Sequence, residues 1–388
     1  MPASAGVLSW RELGGMAIRF IHTADWQLGK AFGGFGPDCG AHLRAQRLKT
    51  IRRLAELAAE RQVDAVLVAG DVFDGQLVSE PILTGTVGAM QAFGGDWVLI
   101  AGNHDAAMLG SVWERVRALT AGSPKIHLAM DDQPVVLAHG ELAVLPAALR
   151  RRQELDDRTA YWDQCPTPPG TCRVGLAHGS VPERLPEAAD ADNPVAADRA
   201  ATARLDYLAL GDWHGTFQIN ERTYYSGTPE PDRFKANDSG NVLLVEIPAP
   251  GALPKITPIA IGHYCWRQVE RPLLSAGDIG ALDHELDALE PKERHIVRLK
   301  LAGSLSLAER HRLEERLNWW RGQFSGVEVD QQELRVRAEA EDFASLDPPG
   351  YVAAAIEELR RRQAAGEAAA EEAVAILYGL CAGAGGTA

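Results

Sequence analysis

Cysteine is scarce in this chain and follows no pattern. Five residues, Cys39, Cys165, Cys172, Cys265 and Cys381, are scattered over 388 positions, with no CxxC pair. Their odd number and spacing argue against a disulfide frame or a structural zinc site, and suit a reducing cytoplasm. Long apolar runs are missing too: none approaches the ~18 residues that a membrane helix needs. The opening MPASAGVLSWRELGG has no basic region followed by an apolar stretch, so no secretory signal is expected. Met16 directly precedes the first strand-like run, and residues 1–15 read as a disordered extension or the product of an upstream start codon. Positive charge is the other deficit. Lys and Arg number 39 against 53 Asp and Glu, for a net charge of −14. That balance counts against a nucleic-acid ligand. It is softened because a metal site consumes carboxylates, and because the field felt by a polyanion is local rather than summed. The acidic residues also cluster late, at Glu357, Glu358, Glu367, Glu371 and Glu372.

What is present is an ordinary globular composition, 46% hydrophobic and 24% charged, in a chain longer than one core usually serves. From Ala17 to about Phe234 short apolar runs alternate with helical stretches, an α/β pattern. The runs Ile18–Ile21, Ala65–Ala69, Trp97–Ala101, Val174–Ala177 and Tyr207–Leu210 are too short for buried helices and read as buried strands. Leu48, Ile51, Leu54, Ala55 and Ala58 fall at helical spacing between the first two. Residues 153–172 and 181–200, rich in Asp, Pro and Ala, read as surface insertions, and Ala249–Pro254 as a linker. Four units are therefore expected: the extension 1–15, a catalytic domain over 16–250, a small α+β domain over 256–340, and a helical tail over 349–380. In the α+β domain, Leu313, Leu317, Trp320 and Phe324 make one apolar helical stripe. The tail presents Val352, Ile356 and Leu359, then Val374, Leu377 and Tyr378, either folded back on the body or docking a partner helix.

Each strand-like run of the catalytic domain stops at metal-capable residues. In chain order these are Asp25-Trp26-Gln27, Gly70-Asp71-Val72-Phe73-Asp74, Gly102-Asn103-His104-Asp105, His178-Gly179 and Gly211-Asp212-Trp213-His214-Gly215. Sites in open α/β sheets form just beyond the carboxyl ends of strands, so five such clusters would converge. Carboxylate, imidazole and amide oxygen suit divalent Mn, Fe, Zn or Mg, and two ions can share one carboxylate. Singly each motif is weak, since an Asp after a strand is usually a turn or cap residue. GDxxD and GNHD about thirty residues apart, each after a strand, are a strong signal. His139 also precedes Gly but reads as a turn residue, and His22 as support within its strand.

The order of motifs resembles the calcineurin-like metallophosphoesterases over roughly Ala17 to Phe234, and within them an SbcD-type DNA-repair exonuclease branch. HTADWQLGK at 22–30, GDVFD at 70–74, GNHD at 102–105, and ALGDWHG with YYSGTPEPDRF at 209–234 carry the likeness. The resemblance implies two sheets flanked by helices, with the small α+β domain as a cap. It implies one ion on Asp25, Gln27, Asp71 and His214, and another on Asp71, Asn103, His178 and Asp212, with Asp71 bridging. His104 would protonate the leaving oxygen, and Asp74 and Asp105 would orient ligands or His104. Two positions depart from the family's pattern of histidines, Gln27 and Asp212. Either both still offer oxygen and shift the site toward Mn or Mg, or one ion binds weakly. Lys30, Arg47 and Arg233 are candidate phosphate contacts.

The resemblance further implies a DNA substrate, an SbcC-type coiled-coil ATPase partner and a homodimer formed through Glu80–Phe93 and Ser111–Leu119. The apolar residues Ile82, Leu83, Val87, Met90, Val112, Val116 and Leu119 are compatible with such a bundle. Two other readings stand beside a DNA phosphodiesterase: a phosphatase or small-molecule phosphodiesterase on the same fold, and a non-catalytic scaffold with a degraded site.

Overall fold

A computed structural model describes residues 17–185, 193–337 and 350–365, together with positions 367, 369, 370, 373, 374, 376 and 377. The extension expected over 1–15 lies outside the described residues, as do Tyr378 of the tail and residues 186–192 of the second expected insertion. The chain divides into two compact units, Met1–Tyr264 and Cys265–Ala388.

The first unit holds two six-stranded sheets. One is centred on β1 (Ile18–Thr23), which runs parallel to β2 (Ala65–Val68) with Ile21 opposite Val66. β3 (Asp96–Leu99) and β4 (Ile126–Leu128) continue that side in parallel. In the other sheet β5 (Val135–Leu137) edges the parallel set β6 (Leu142–Ala147), β7 (Cys172–His178) and β8 (Tyr207–Gly211). Beyond β8 the sheet closes with β9 (Phe217–Asn220) and β10 (Thr223–Tyr225). The inner strands are apolar throughout because both of their faces are covered. Along β6, Leu142 and Val144 join the core shared with β1 and β2, while Ala143 and Leu145 join a second core with Trp162 and Leu208. This is the alternation that a strand imposes. Complete burial of a side chain such as Leu176 is worth about 1.5–3 kcal/mol.

Helices α1 (Pro37–Glu60), α2 (Glu80–Met90) and α3 (Val112–Thr120) fill the connections of the first sheet. Proline in the first turn of α1 costs no hydrogen bond, because the first amides of a helix have no internal partner. Ile51, Leu54, Ala55 and Ala58 form its buried stripe. The apolar residues expected to build a dimer bundle are mostly used within the chain itself. Leu83, Val87 and Met90 of α2 and Val112 and Val116 of α3 are buried in the unit's own core. What remains exposed nearby is Leu119 and, in the loops leading into the two helices, Leu77, Met108 and Leu109.

The expected linker Ala249–Pro254 is a hairpin turn. It joins β11 (Asn241–Ile247), which pairs antiparallel with β1, to β12 (Lys255–Ala260), which pairs with β11. The Arg222 guanidinium donates to the Gly251 and Ala252 carbonyls and ties the turn down. Pro and Gly mark a tight turn and a linker alike, and only the strand pairing tells them apart. The first expected insertion is likewise anchored, by fully buried Trp162.

The second unit is a three-stranded parallel sheet of β13 (Cys265–Leu273), β14 (His295–Ser306) and β15 (Gly326–Arg337). Its crossovers are α4 (Ala276–Asp287) and α5 (Leu307–Arg321). Leu313, Leu317, Trp320 and Phe324 pack in one core with Leu282, Leu286 and Leu299. Helix α6 (Gly350–Ala364) follows, and its Ile356 is buried against Val374, with Leu307 alongside.

Candidate metal centre

Five strand ends deliver the motif residues to one place. The loop after β1 is stitched to the loop after β2: the amides of Asp25, Gln27 and Leu28 donate to the carbonyls of Gly70, Asp71 and Val72 at 3.1, 3.0 and 2.9 Å. Three of the polar residues there, Asp25, Gln27 and Asp71, take left-handed backbone angles, with φ of 55°, 48° and 53°. Such conformations cost roughly 1–3 kcal/mol each and persist where the surroundings over-determine them. Glycine is required by close approach at Gly102, where an added Cβ would lie 2.2 Å from Asp71 Oδ1, and at Gly70, where it would lie 2.5 Å from His178 Nδ1.

His178 is the best-fixed donor. Its Nδ1 donates to the Ala69 carbonyl at 2.8 Å, so that Nε2 is the atom that would face a metal once its proton is displaced. That atom faces Asn103 Oδ1 at 3.3 Å, Asp71 Oδ1 at 3.6 Å and Asp212 Oδ1 at 3.8 Å. Ligands bound at ~2.1 Å around one divalent ion are spaced roughly 3–3.5 Å apart, so these three separations from Nε2 are near the spacing an ion would set. Asp25, Asp71 and His178 also offer donor atoms within 4.8 Å of one another. Asp212 is held for its part: Ser180 Oγ donates to its Oδ2 at 2.7 Å, and its own amide donates to Asp25 Oδ1 at 3.1 Å.

The other expected set is less open. The Gln27 amide nitrogen donates to Asp71 Oδ2 at 2.7 Å, so the oxygen expected to bind an ion is turned away from that carboxylate. A ligand role for Gln27 needs the amide reversed. His214 is engaged through Nδ1, 3.4 Å from Asp232 Oδ1 and 2.8 Å from Arg233 Nη2. The His104 amide donates to Asp71 Oδ1 at 2.9 Å, and its imidazole, 35% exposed, keeps Nε2 4.0 Å from Asp71 Oδ2. Nδ1 of His104 meets the backbone carbonyl of Asp74 at 3.2 Å, so it is the main chain of Asp74 that orients the ring. Asp105 does not touch the imidazole. Its carboxylate accepts from the amides of Gly102 and Phe73 at 2.7 and 3.1 Å and locks the GNHD loop to the GDVFD loop.

The centre is strongly anionic. Burial, reinforced by Asp71 and Asp212 against the pull of His214 and His178, raises the Asp25 carboxyl to about 6. Burial and Asp71 raise Asp105 to about 7. Burial alone would depress His178, but Asp71, Asp25 and Asp212 outweigh it and lift the ring to about 9. Buried carboxylates are tolerated when paired or bound to a cation, and one imidazole among several carboxylates fits a divalent ion.

Of the three expected phosphate contacts, Arg47 is not placed to act as one. It is 1% exposed, and its guanidinium donates to the carbonyls of Trp26, Glu230 and Asp25 and to Thr228 Oγ1. A helical Arg near a motif looks the same in sequence whether it points outward or beneath the loop. Lys30 and Arg233 do lie beside the centre, both on Asp232: Lys30 Nζ donates to Oδ2 at 2.6 Å and Arg233 Nε to Oδ1 at 3.0 Å. Burial would raise Asp232, but His214, Arg47 and Arg233 hold it well below the usual carboxylate range. Asp232 and Ser180 are not among the residues expected from sequence. PEPDRF holds the one signal for Asp232, its position beside Arg233; Ser180 has none beyond following His178-Gly179. His22 is fully buried, bonded to Tyr207 Oη and the Leu210 carbonyl at 2.9 and 3.1 Å, and burial lowers it to about 3. It ties β1 to β8 as a neutral ring. His139 sits in a turn with φ of 54°.

Two six-stranded sheets whose strand ends gather Asp, Asn and His around one point define a phosphoesterase architecture. The chain belongs to the calcineurin-like phosphoesterase family, whose profile matches residues 18–216. It is a metal-dependent hydrolase of a family that binds divalent metals. Among individual proteins it is similar to the SbcD component of the SbcCD nuclease of Bacillus subtilis, 25% identical over 351 residues, covering 77% of this chain and 83% of that one. The same component from Rhodobacter capsulatus is 37% identical over 97 residues, and that stretch is 23% of this chain and 22% of the relative. The chain thus matches about a fifth of that relative's length. An uncharacterized metallophosphoesterase, YhaO of Bacillus subtilis, is 24% identical over 208 residues, 51% of this chain and 48% of that one. Among solved structures, TT1561 of Thermus thermophilus aligns at 11% identity with a TM-score of 0.41, covering 63% of this chain and 99% of that chain. No helix among the described residues is long and apolar enough to cross a membrane.

Proposed function

We propose that this chain is a two-metal DNA phosphodiesterase that works with a coiled-coil ATPase of the SbcC type in DNA repair or processing. The observation that carries the reading is the convergence of His178, Asn103, Asp71 and Asp212 on one point, with His104 at its open side. Asp71, Asn103, His178 and Asp212 would hold one ion, and Asp25, Gln27, Asp71 and His214 the other. The oxygen-rich set favours hard ions, Mn first, then Mg. When bound, the ions supply Lewis-acid activation of water and neutralise charge on the phosphoryl oxygens.

The chain's own residues do the rest. Protonated His104 donates Nδ1–H to the Asp74 carbonyl, which aims Nε2–H at the leaving oxygen. Asp105 fixes the loop that carries Asn103 and His104. Lys30 and Arg233, held beside the centre on Asp232, are the proposed contacts for phosphate oxygens. Similarity to the SbcD component of SbcCD nucleases supports DNA as substrate and an ATPase partner. Exposed Leu77, Met108, Leu109 and Leu119 support a homodimer contact, and sedimentation of the purified chain would test it.

The test is to purify the chain, measure Mn binding, and assay labelled DNA with added Mn. His104→Ala should abolish hydrolysis and leave metal content unchanged. DNA cutting that survives His104→Ala would overturn the catalytic assignment. The inward-turned Gln27 amide favours one alternative, a scaffold with a degraded site, which predicts no bound metal. A phosphatase or small-molecule diesterase predicts turnover of small esters without cutting of DNA.

A further inference from the structure

We infer that Asp232 is a positioning residue that couples a phosphate-binding pair, Lys30 and Arg233, to His214 of the metal centre, so that the site selects substrates carrying a second phosphate next to the scissile one. The inference rests on the diesterase reading above and names the substrate feature that site reads.

Asp232 contributes a side chain with no exposure, yet it touches three functional groups. Oδ2 takes the Lys30 ammonium at 2.6 Å, and Oδ1 takes Arg233 Nε at 3.0 Å. The same Oδ1 lies 3.4 Å from His214 Nδ1, a nitrogen that Arg233 Nη2 also faces at 2.8 Å; when Arg233 turns to an anion, Nδ1–H is released to donate to Asp232. A carboxylate behind a ligating histidine fixes its tautomer and ring orientation, and losing such a partner typically weakens metal affinity 10–100-fold. Asp232 also fixes the cations. Lys30 comes from the loop after β1 and Arg233 from the loop after β10, far apart in sequence. Side chains this long lose much rotamer freedom when held, and a shared buried anchor pre-sets them before substrate arrives.

The charge count indicates what the pair is for. Asp232, Asp74 and Glu230 offset Lys30, Arg233 and buried Arg47, so Lys30 and Arg233 form the accessible positive edge of a locally balanced set beside an acidic centre. Arg233 is 46% exposed at its side chain, with Nε on Asp232 and Nη2 against His214, so Nη1 is the edge of the guanidinium turned to an incoming anion. Ions held by the proposed ligands would already offset the charge of a single phosphoryl group. A cation pair to one side is suited to an adjoining phosphate, which a polymeric phosphodiester supplies and a simple diester lacks.

The experiment compares the full chain with Asp232→Asn, Asp232→Glu, Lys30→Ala and Arg233→Ala. Calorimetric titration with Mn reads the metal arm. The ratio of kcat/KM for a 5′-phosphorylated thymidine dinucleotide to that for bis(p-nitrophenyl) phosphate reads the phosphate arm. Asp232→Asn should weaken Mn binding about tenfold and lower the ratio about tenfold, with partial recovery in Asp232→Glu. Arg233→Ala, at an exposed side chain that keeps the fold, should lower the ratio, and Lys30→Ala should lower it with Mn affinity within about twofold of the parent. If Asp232→Asn matches the parent in both arms, or Lys30→Ala and Arg233→Ala leave the ratio unchanged, the inference is overturned. A parent chain that cuts the dinucleotide but not DNA, with the variants behaving as stated, would instead overturn the DNA reading and leave this one standing.

Discussion

Gly102 shows how little freedom the metal centre leaves its backbone. A methyl group there would lie 2.2 Å from the Asp71 carboxylate and 2.5 Å from the Asp71 amide. Gly102→Ala should therefore displace the carboxylate expected to bridge two ions and cut Mn affinity by at least about tenfold, with the fold retained by circular dichroism; equal affinity in a titration would sink that account. Protonation makes a second demand on these residues. Asp25, raised to about 6, and His178, raised to about 9, hold protons more tightly in the folded metal-free chain than they would unfolded. Their contribution to stability is full below the unfolded values and is lost as pH rises through about 6 and about 9. A metal must displace those protons, so it binds better as pH rises. The difference in Tm between Mn-loaded and chelated protein should widen from pH 6 to 9. A flat or narrowing difference would show that these groups do not hold the metal.

At the scale of elements, α1 supports the metal centre from beneath. Arg47 lies on its buried face and donates to the carbonyls of Asp25 and Trp26 on one side and to Glu230 and Thr228 on the other. The Glu230 carboxylate in turn accepts from Thr50 of the same helix and from the amides of His263 and Tyr264. One helix thus joins the first motif, the segment after the last motif and the exit from the first unit. Arg47→Ala should leave several carbonyls unsatisfied and cost at least about 3 kcal/mol in urea unfolding; a loss below about 1 kcal/mol would mean that the network is not a structural anchor. In the second unit the start of α5 is set locally. Ser306 and Glu309 form a reciprocal capping box, a pattern visible in the sequence as Ser-Leu-Ala-Glu.

At the scale of the molecule, the two units each contain their own hydrophobic cores. A chain of residues 17–264 should fold and bind Mn with the stoichiometry of the full protein, because every proposed ligand and the Glu230 network lie within it. On the proposed reading, in which the second unit serves a polymeric substrate, it should lose more activity on DNA than on bis(p-nitrophenyl) phosphate. Aggregation of the shorter chain, or equal loss on both substrates, would count against that division of labour.

The five strand runs, the polar loop residues that follow them and the stripe of the second unit were legible in the sequence because each depends on local pattern: a short apolar run, a glycine-flanked turn, a helical period. Gln27 and Asp212 were visible as departures, but their placement was not. Asp212 faces His178 with one oxygen and Ser180 with the other, whereas Gln27 gives its amide to Asp71. Which way such a side chain turns depends on partners as far away as residue 212 is from residue 25. The same holds for the Ala249–Pro254 hairpin, for Arg47 and for Asp232. Sequence alone determined which chemical groups this protein brings to its strand ends. Tertiary structure decided which of them meet, because burial and the partner of a polar atom are set by contacts between distant segments.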